Sequence, residues 1–548
     1  MRKILSNKLY LYLTEFFAGM SVMAVELAAS RLLAPYFSSS QIVYTIIIGT
    51  VMIAMALGNI YGGRTADKDP DPDRLYRRIL VAAIWIAAIP AVGKYIIIAI
   101  SGLVIFSVNA NFLVIAAFVS AMVVFVFPLF LLGTVTPSLA AYTIGSLSDS
   151  GKVVGRLGAC NTVGSIIGTF LPTFVTIPSV GTAITFLIFA GILLALCIVY
   201  FLSSKTSLAR TVVGIVLFAV CCVFGCSDSF AFWKDDLTYE GESIYNYIQV
   251  SEDDRSVILS TNVLFGVQSV YQKDGGLTGM YYDYAMAAPF MAGIQDKRVQ
   301  EAAGGNFDFR MLILGNGSGT FATQCRNYLG EDILIDAVEI DQGITDVARE
   351  YFSLPGDVNV YTYDGRAFLN AVEGKYNVIM VDAYQDITVP FQMSTVEFFQ
   401  LVKDHLTEDG VMVVNMSMRG KGENTINTYL ADTISTLFSE VYTADVTWST
   451  NRELFAGNYP GMMETFRSNV QRLRGRSAPK WAELFRMMSE VDSGLSEYTA
   501  GSRVMTDDKA PVELLSMQAI DGIIYDEVSY FKDIYREKGI RGVIDALN

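Results

Sequence analysis

The chain has one histidine in 548 residues, His405 in "VKDHL". That scarcity leaves no Ser-His-Asp or Cys-His nucleophile system to read, and the helical pattern around His405 predicts a surface residue. Cysteine is sparse as well. Cys160, Cys197, Cys221, Cys222 and Cys226 lie in apolar segments and Cys325 stands alone in the polar part, so no disulfide framework or zinc pattern is available. Charged residues are 17% of the chain and the net charge is −15, so the basic surface that nucleic-acid binding needs is missing. The pyrophosphate fingerprint is absent too. In "ILGNGSGT" the glycines run Gly-x-Gly-x-Gly and position 320 is Thr, which argues against NAD and toward an S-adenosyl compound.

Apolar sequence, by contrast, is abundant. Hydrophobic residues make up 52% and mean hydropathy is +0.39, values natural for a multi-pass membrane protein. Apolar stretches near 9–30, 41–62, 79–100, 111–133, 157–177, 181–202 and 211–226 predict about seven spanning helices. The first is no simple signal peptide, because similar segments follow it without a cleavage signature. Residues 1–227 hold 14 Lys+Arg against 7 Asp+Glu, and the remainder holds 26 against 48. Basic residues cluster at the N-terminus, in "GGRTADKDPDPDRLYRR", at Lys152/Arg156 and at Lys205/Arg210, which predicts a cytoplasmic N-terminus. Seven spans would leave the rest of the chain outside. We nevertheless expect it in the cytoplasm, where nucleotide-derived donors are made. Glu15, Glu26 and Arg31 fall within the first span, and internal pairing is preferred there over a cation pathway.

From Ser243 the texture changes. "SIYNYIQV", "RSVILST" and "VLFGVQSVYQ" predict a small antiparallel sheet. From Arg310, strands such as "RMLILG", "ILIDAVEID", "VNVYTYD", "YNVIMVD" and "GVMVVNM" alternate with helical patterns, which predicts a doubly wound, mostly parallel sheet. The expected domains are 1–227 in the membrane, 228–305 as a small β-domain, and 306–548 as a Rossmann-like domain with a helical extension. Ligands in such sheets bind beyond the carboxyl ends of the strands, so the acidic strand ends should converge. Gly315, Gly317 and Gly319, flanking Ser318, let the backbone approach a nucleoside. Glu339 ends the second strand, where a carboxylate can accept both ribose hydroxyls. Asp364, followed by Gly365, ends the third and is placed to meet an adenine. Asp382 ends the fourth and is the candidate proton acceptor.

In order along the chain, "ESIYNYIQV", "FGVQSV", "LTGMYYDYAMAAP", "LILGNGSGT", "VEIDQGITDVAREYF", "YDGRAFL" and "VIMVDAY" resemble the polyamine aminopropyltransferases, the spermidine synthase family. "EFFAGMSVMAVELAASRLLAPYF", "GGRTADKDP" and "MTDDKAPVE" resemble its membrane-fused bacterial branch. The resemblance implies decarboxylated S-adenosylmethionine as donor, a small amine as acceptor, no metal and no prosthetic group. It places Gln268 in the donor site, and Tyr245, Asn246, Tyr282, Asp283 and Asp386 on the acceptor side. Departures from the family pattern fall on that side. Asn246 stands for Gln, Tyr282-Asp283 for His-Glu, Ser318 for the loop aspartate, and Gln385 shifts the second aspartate to Asp386. Expected partners are a lipid bilayer, the amine and a second copy of the chain. Two other readings stay open: a methyltransferase using S-adenosylmethionine, and a membrane sensor or transporter that binds a nucleoside without chemistry.

Overall fold

The structure, a computed structural model, describes residues 8–547 apart from 108–110, 144–149, 205–207, 227–228, 235–236, 264–266, 384–388, 418, 421 and 423. The chain divides into two compact units, Met1–Trp233 and Lys234–Asn548.

The first unit is helical: α1 (Lys8–Phe37), α2 (Gln41–Lys68), α3 (Pro72–Ser107), α4 (Phe112–Gly133), α5 (Val135–Thr143), α6 (Ser150–Leu171), α7 (Ile177–Ser204) and α8 (Leu208–Gly225). Among the described residues, six helices are long and apolar enough to cross a membrane. The expectation of seven differs at one place. Two predicted spans fall within a single 55-residue helical run, Ser150–Ser204. Gly181 breaks that run with φ 78° and ψ 172°. Helix α1 is packed tightly by glycine, because a Cβ at Gly164 or Gly168 of α6 would lie 2.0 Å from Phe16 O or 2.1 Å from Met20 O. Small residues at such spacing let helices meet backbone to backbone in an apolar solvent. Glu15 is fully buried, and Thr136 and Asn161 hold it by hydrogen bonds.

In the second unit a four-stranded antiparallel sheet comes first: β1 (Leu237–Glu242), β2 (Tyr247–Glu252), β3 (Ser256–Ser260) and β4 (Ser269–Gln272), in spatial order. The sequence reading missed β1, "LTYEGE", which carries two acids and a glycine and little alternation. Its buried Ile248, Val250, Val257 and Leu259 pack on Ile344, Val347 and Phe352.

Then come α9 (Tyr281–Ala285), α10 (Ala287–Met291), α11 (Ile294–Ala302), β5 (Arg310–Leu314), α12 (Thr320–Leu329), β6 (Leu334–Glu339), α13 (Gln342–Tyr351), β7 (Asn359–Thr362), α14 (Gly365–Ala371), β8 (Tyr376–Val381), α15 (Val396–Asp404) and β9 (Leu406–Met416). They are followed by α16 (Ile426–Ser435), β10 (Glu440–Asp445), β11 (Arg452–Gly457), α17 (Met462–Gln471), α18 (Pro479–Gly494), β12 (Ser496–Glu497) and α19 (Val512–Leu547). The large sheet has the order β12-β10-β11-β9-β8-β5-β6-β7. Strands β5 to β9 are parallel, and β11, β10 and β12 extend them antiparallel. Strand order reverses between β5 and β8, and the crevice above that point is where such sheets bind ligands.

Two expectations are corrected here. Helices α9 and α10, placed by sequence in a separate 228–305 domain, bury Tyr281 to Met291 in the core of the large sheet with Met311, Ile313 and Val378. His405 is buried at 9% exposure, its Nδ1 2.7 Å from Leu401 O and its Nε2 2.9 Å from Val372 O. It ties two helix ends together and is no surface residue.

A late segment also reaches back to the crevice. Arg366 of α14 grips Asp507 with both guanidinium nitrogens at 2.7 and 2.6 Å and donates to Gln392 O at 3.0 Å. Thr395 Oγ1 donates to the same Asp507 at 2.7 Å, and Val396 N donates to Met505 O.

Candidate active site

Above the β5–β8 switch lies a cavity lined by Tyr245, Asn246, Gln268, Tyr281, Tyr282, Gly315, Asn316, Gly317, Glu339, Asp364, Gly365 and Asp382, among others. The acidic strand ends thus meet in one crevice. The turn after β5 needs glycine. Gly315, Gly317 and Gly319 have φ of 88°, 52° and 77°. A Cβ at Gly315 would sit 2.4 Å from Asp382 O, so the glycine turn lies directly against the end of β8.

Glu339 closes this turn: its Oε2 accepts from Gly317 N at 2.9 Å and its Oε1 from Asp341 N at 3.1 Å. Burial pushes its carboxyl up to about 7, opposed by those backbone hydrogen bonds and aided by the Asp341 charge. Asp364 caps α14 by accepting from Ala367 N at 2.8 Å, and it is half-buried at the cavity wall.

Asp382 is braced on both sides. Tyr281 OH donates to Oδ2 at 2.6 Å and Asn415 Nδ2 donates to Oδ1 at 2.8 Å. Burial raises its carboxyl to about 7, hydrogen bonds from Tyr281 and Asn415 pull it down, and Glu339 adds to the rise. Two neighbouring carboxyls raised toward neutrality by burial make this crevice a candidate for acid–base chemistry.

Not every nominated residue faces this space. Ser318 is fully buried and shares a hydrogen bond with Thr320 Oγ1, while Gly319 is the N-cap of α12; neither lines the cavity. Asp283 is also fully buried. It accepts from Thr278 N, Gly279 N and Gln324 Nε2, so it holds its own loop and is not part of the lining. Tyr282 lines the cavity, and its hydroxyl donates to Gln268 O at 3.1 Å. Asn246 lines it too, while its amide donates to Asp341 Oδ2 at 2.8 Å. Asp386 lies outside the described residues.

Sequence reasoning missed three residues. Asn316 lines the cavity with both amide atoms unpartnered among the described residues. Asn415 positions Asp382. Glu453 on β11 pairs in register with Asn415, is fully buried and has neither carboxylate oxygen bonded among the described residues. Burial, and then the charge of Asp382, push the Glu453 carboxyl well above its usual range. An acid within the apolar strand "RELFAG" was the available signal. Among the described residues no group of side chains has the makings of a metal site.

A doubly wound sheet with a glycine turn and acidic strand ends at its switch point defines a domain of the S-adenosylmethionine-dependent methyltransferase-like class. The sequence model for the spermine/spermidine synthase domain matches residues 308–459. The chain is 46% identical over 368 residues to a probable polyamine aminopropyl transferase of Bifidobacterium longum, covering 64% of this chain and 78% of that protein. It is 24% identical over 314 residues to a polyamine aminopropyltransferase of Vibrio vulnificus, covering 55% of this chain and 98% of the relative. A crystal structure of a probable spermidine synthase from Corynebacterium glutamicum aligns over 48% of this chain and 98% of that one, at TM-score 0.34 and 16% identity. The chain belongs to the polyamine aminopropyltransferase family and is a transferase of that type.

Proposed function

We propose that the soluble unit moves the aminopropyl group of decarboxylated S-adenosylmethionine to an amine, with residues 1–233 embedded in the membrane. The observation that carries the reading is Asp382, which faces the same cavity as Glu339 and the glycine turn while Tyr281 and Asn415 brace it. In this reading Glu339 holds the donor ribose, Asp364 lies toward the adenine, and Asn316 and Gln268 line the donor site. Tyr245, Asn246 and Tyr282 border the acceptor. Asp382 takes the proton of the incoming ammonium, which is charged near neutral pH because alkyl amines titrate near ~10.4. The freed lone pair then attacks the carbon beside the sulfonium, the C–S bond breaks, and methylthioadenosine leaves. The N-terminus and the soluble unit are assigned to the cytoplasm, from the basic bias and the origin of the donor.

The test incubates full-length protein with decarboxylated S-adenosylmethionine and a panel of amines and measures methylthioadenosine release. Amine-dependent release that collapses about 10²–10⁴-fold in Asp382→Asn, with donor binding retained, is expected. No release, with methyl transfer from S-adenosylmethionine instead, overturns the aminopropyl reading.

A further inference from the structure

The membrane unit holds a carboxyl group that the transfer reaction does not use. Glu15 lies two turns into α1, is fully buried, and receives two hydrogen bonds on one oxygen. Thr136 Oγ1 donates to Oε1 at 2.5 Å and Asn161 Nδ2 donates to the same Oε1 at 2.8 Å. Oε2 is buried and has no partner among the described residues. The asymmetry is built by the surrounding helices. Asn161 precedes the tightly packed Gly164 by less than a turn, and a Cβ at Gly19 would lie 2.7 Å from Asn161 O. Thr136 lies in the first turn of α5, directly after α4.

An ionised carboxylate with one bare oxygen in an apolar bundle is costly. A carboxylic acid is not, if its carbonyl oxygen takes the hydrogen bonds and its hydroxyl oxygen takes the proton. Two donors on Oε1 and none on Oε2 match that division. Among the described residues no lysine or arginine pairs with Glu15. Around it, Glu26 lies three turns along α1, Lys152 and Arg156 of α6 are exposed, α5 contributes Tyr142, and α4 has no charged residue. One residue away, Thr14 Oγ1 meets Tyr76 OH at 3.0 Å. Tyr76 stacks on Tyr200 at 4.0 Å, and Tyr200 OH donates to Asp73 Oδ1 at 2.5 Å. Asp73 lies in the first turn of α3, so polar groups mark a line from the helix end to the turn that carries Glu15.

We propose that Glu15 is an exchangeable proton-binding site of the membrane unit, its Oε1 fixed by Thr136 and Asn161 and its Oε2 carrying the proton.

The test is infrared difference spectroscopy on full-length protein in lipid vesicles, wild type against Glu15→Gln, in H2O and D2O. A carboxylic-acid C=O band that disappears in the variant and shifts in D2O is expected. No such band means that Glu15 is ionised, and a band that does not shift means that its proton is locked in; either result overturns the proposal. Should the variant fail to fold, wild-type protein is treated with dicyclohexylcarbodiimide, which captures protonated carboxyls in apolar surroundings. A mass-mapped adduct on Glu15 that declines as pH rises supports the site. Adducts confined to other carboxyls refute it.

Discussion

Tyr281→Phe removes a single oxygen from the cavity wall, and its effect can be worked out from one contact. Tyr281 OH donates to Asp382 Oδ2 at 2.6 Å, and this bond pulls down a carboxyl that burial has pushed up to about 7. A hydrogen bond to a charged acceptor contributes ~1.5–3 kcal/mol, and 1.36 kcal/mol moves a pKa by one unit, so its loss should raise the Asp382 carboxyl by about 1–2 units. A base works only when ionised. Wild-type kcat/KM for the amine should therefore be lost as pH falls through about 7, and in Tyr281→Phe the loss should begin about 1–2 units higher. Burial and the Asp382 charge hold Tyr281 itself far above its usual range, so its own titration does not enter the window. The amine limb near ~10.4 is common to both proteins and drops out of the comparison. In kcat, measured with donor bound, both acid limbs should lie lower, because a sulfonium beside Asp382 favours its charge. Methylthioadenosine release across the pH range reads all of this. A variant whose profile keeps the wild-type limb and merely scales down refutes the argument, since it would mean that Tyr281 positions the site without tuning its base.

Glu339→Gln should weaken methylthioadenosine binding about 10–100-fold by calorimetry, the ~1.5–3 kcal/mol of charged hydrogen bonds to a ribose; unchanged affinity in a folded variant removes Glu339 from the site. Glu453→Gln should gain stability relative to wild type as pH rises. Glu453 keeps its proton in the fold but gives it up near ~4.3 when unfolded, so wild type loses up to about 1.4 kcal/mol per pH unit above that point, and thermal unfolding at several pH values reads the divergence. Gly315→Ala should abolish donor binding or folding, because the new Cβ would lie 2.4 Å from Asp382 O at a φ of 88°.

Much of this was visible in the chain before any coordinates. Alternating apolar strands and helical patterns give the parallel sheet, and in such a sheet Glu339, Asp364 and Asp382 have to end on one side. What stayed hidden depended on contacts between distant segments. Asp283 reads as an acceptor-side acid, yet Thr278, Gly279 and Gln324 consume it, and only the folded loop reveals that. His405 sits in a polar helical pattern, but its ring lies between two helix ends. Glu453 becomes interesting only once β11 is known to lie beside β9, an antiparallel addition that no periodicity announces. The acidic strand β1 carries too little apolar alternation to declare itself.

The grip of Arg366 on Asp507 spans 141 residues of chain. At a synthesis rate of ~5–20 residues per second, the second half of that clamp is made on the order of ten seconds after the first. The membrane helices precede both. The wall that carries Gln392, Met393 and Thr395 is fastened only when the chain is nearly complete, so on the ribosome the cavity is among the last parts to take shape. A chain that stops short of Met505 would keep every strand of the large sheet and still leave that wall unfastened. The working C-terminal limit of the enzyme therefore lies beyond its last strand, in a stretch with no regular structure of its own.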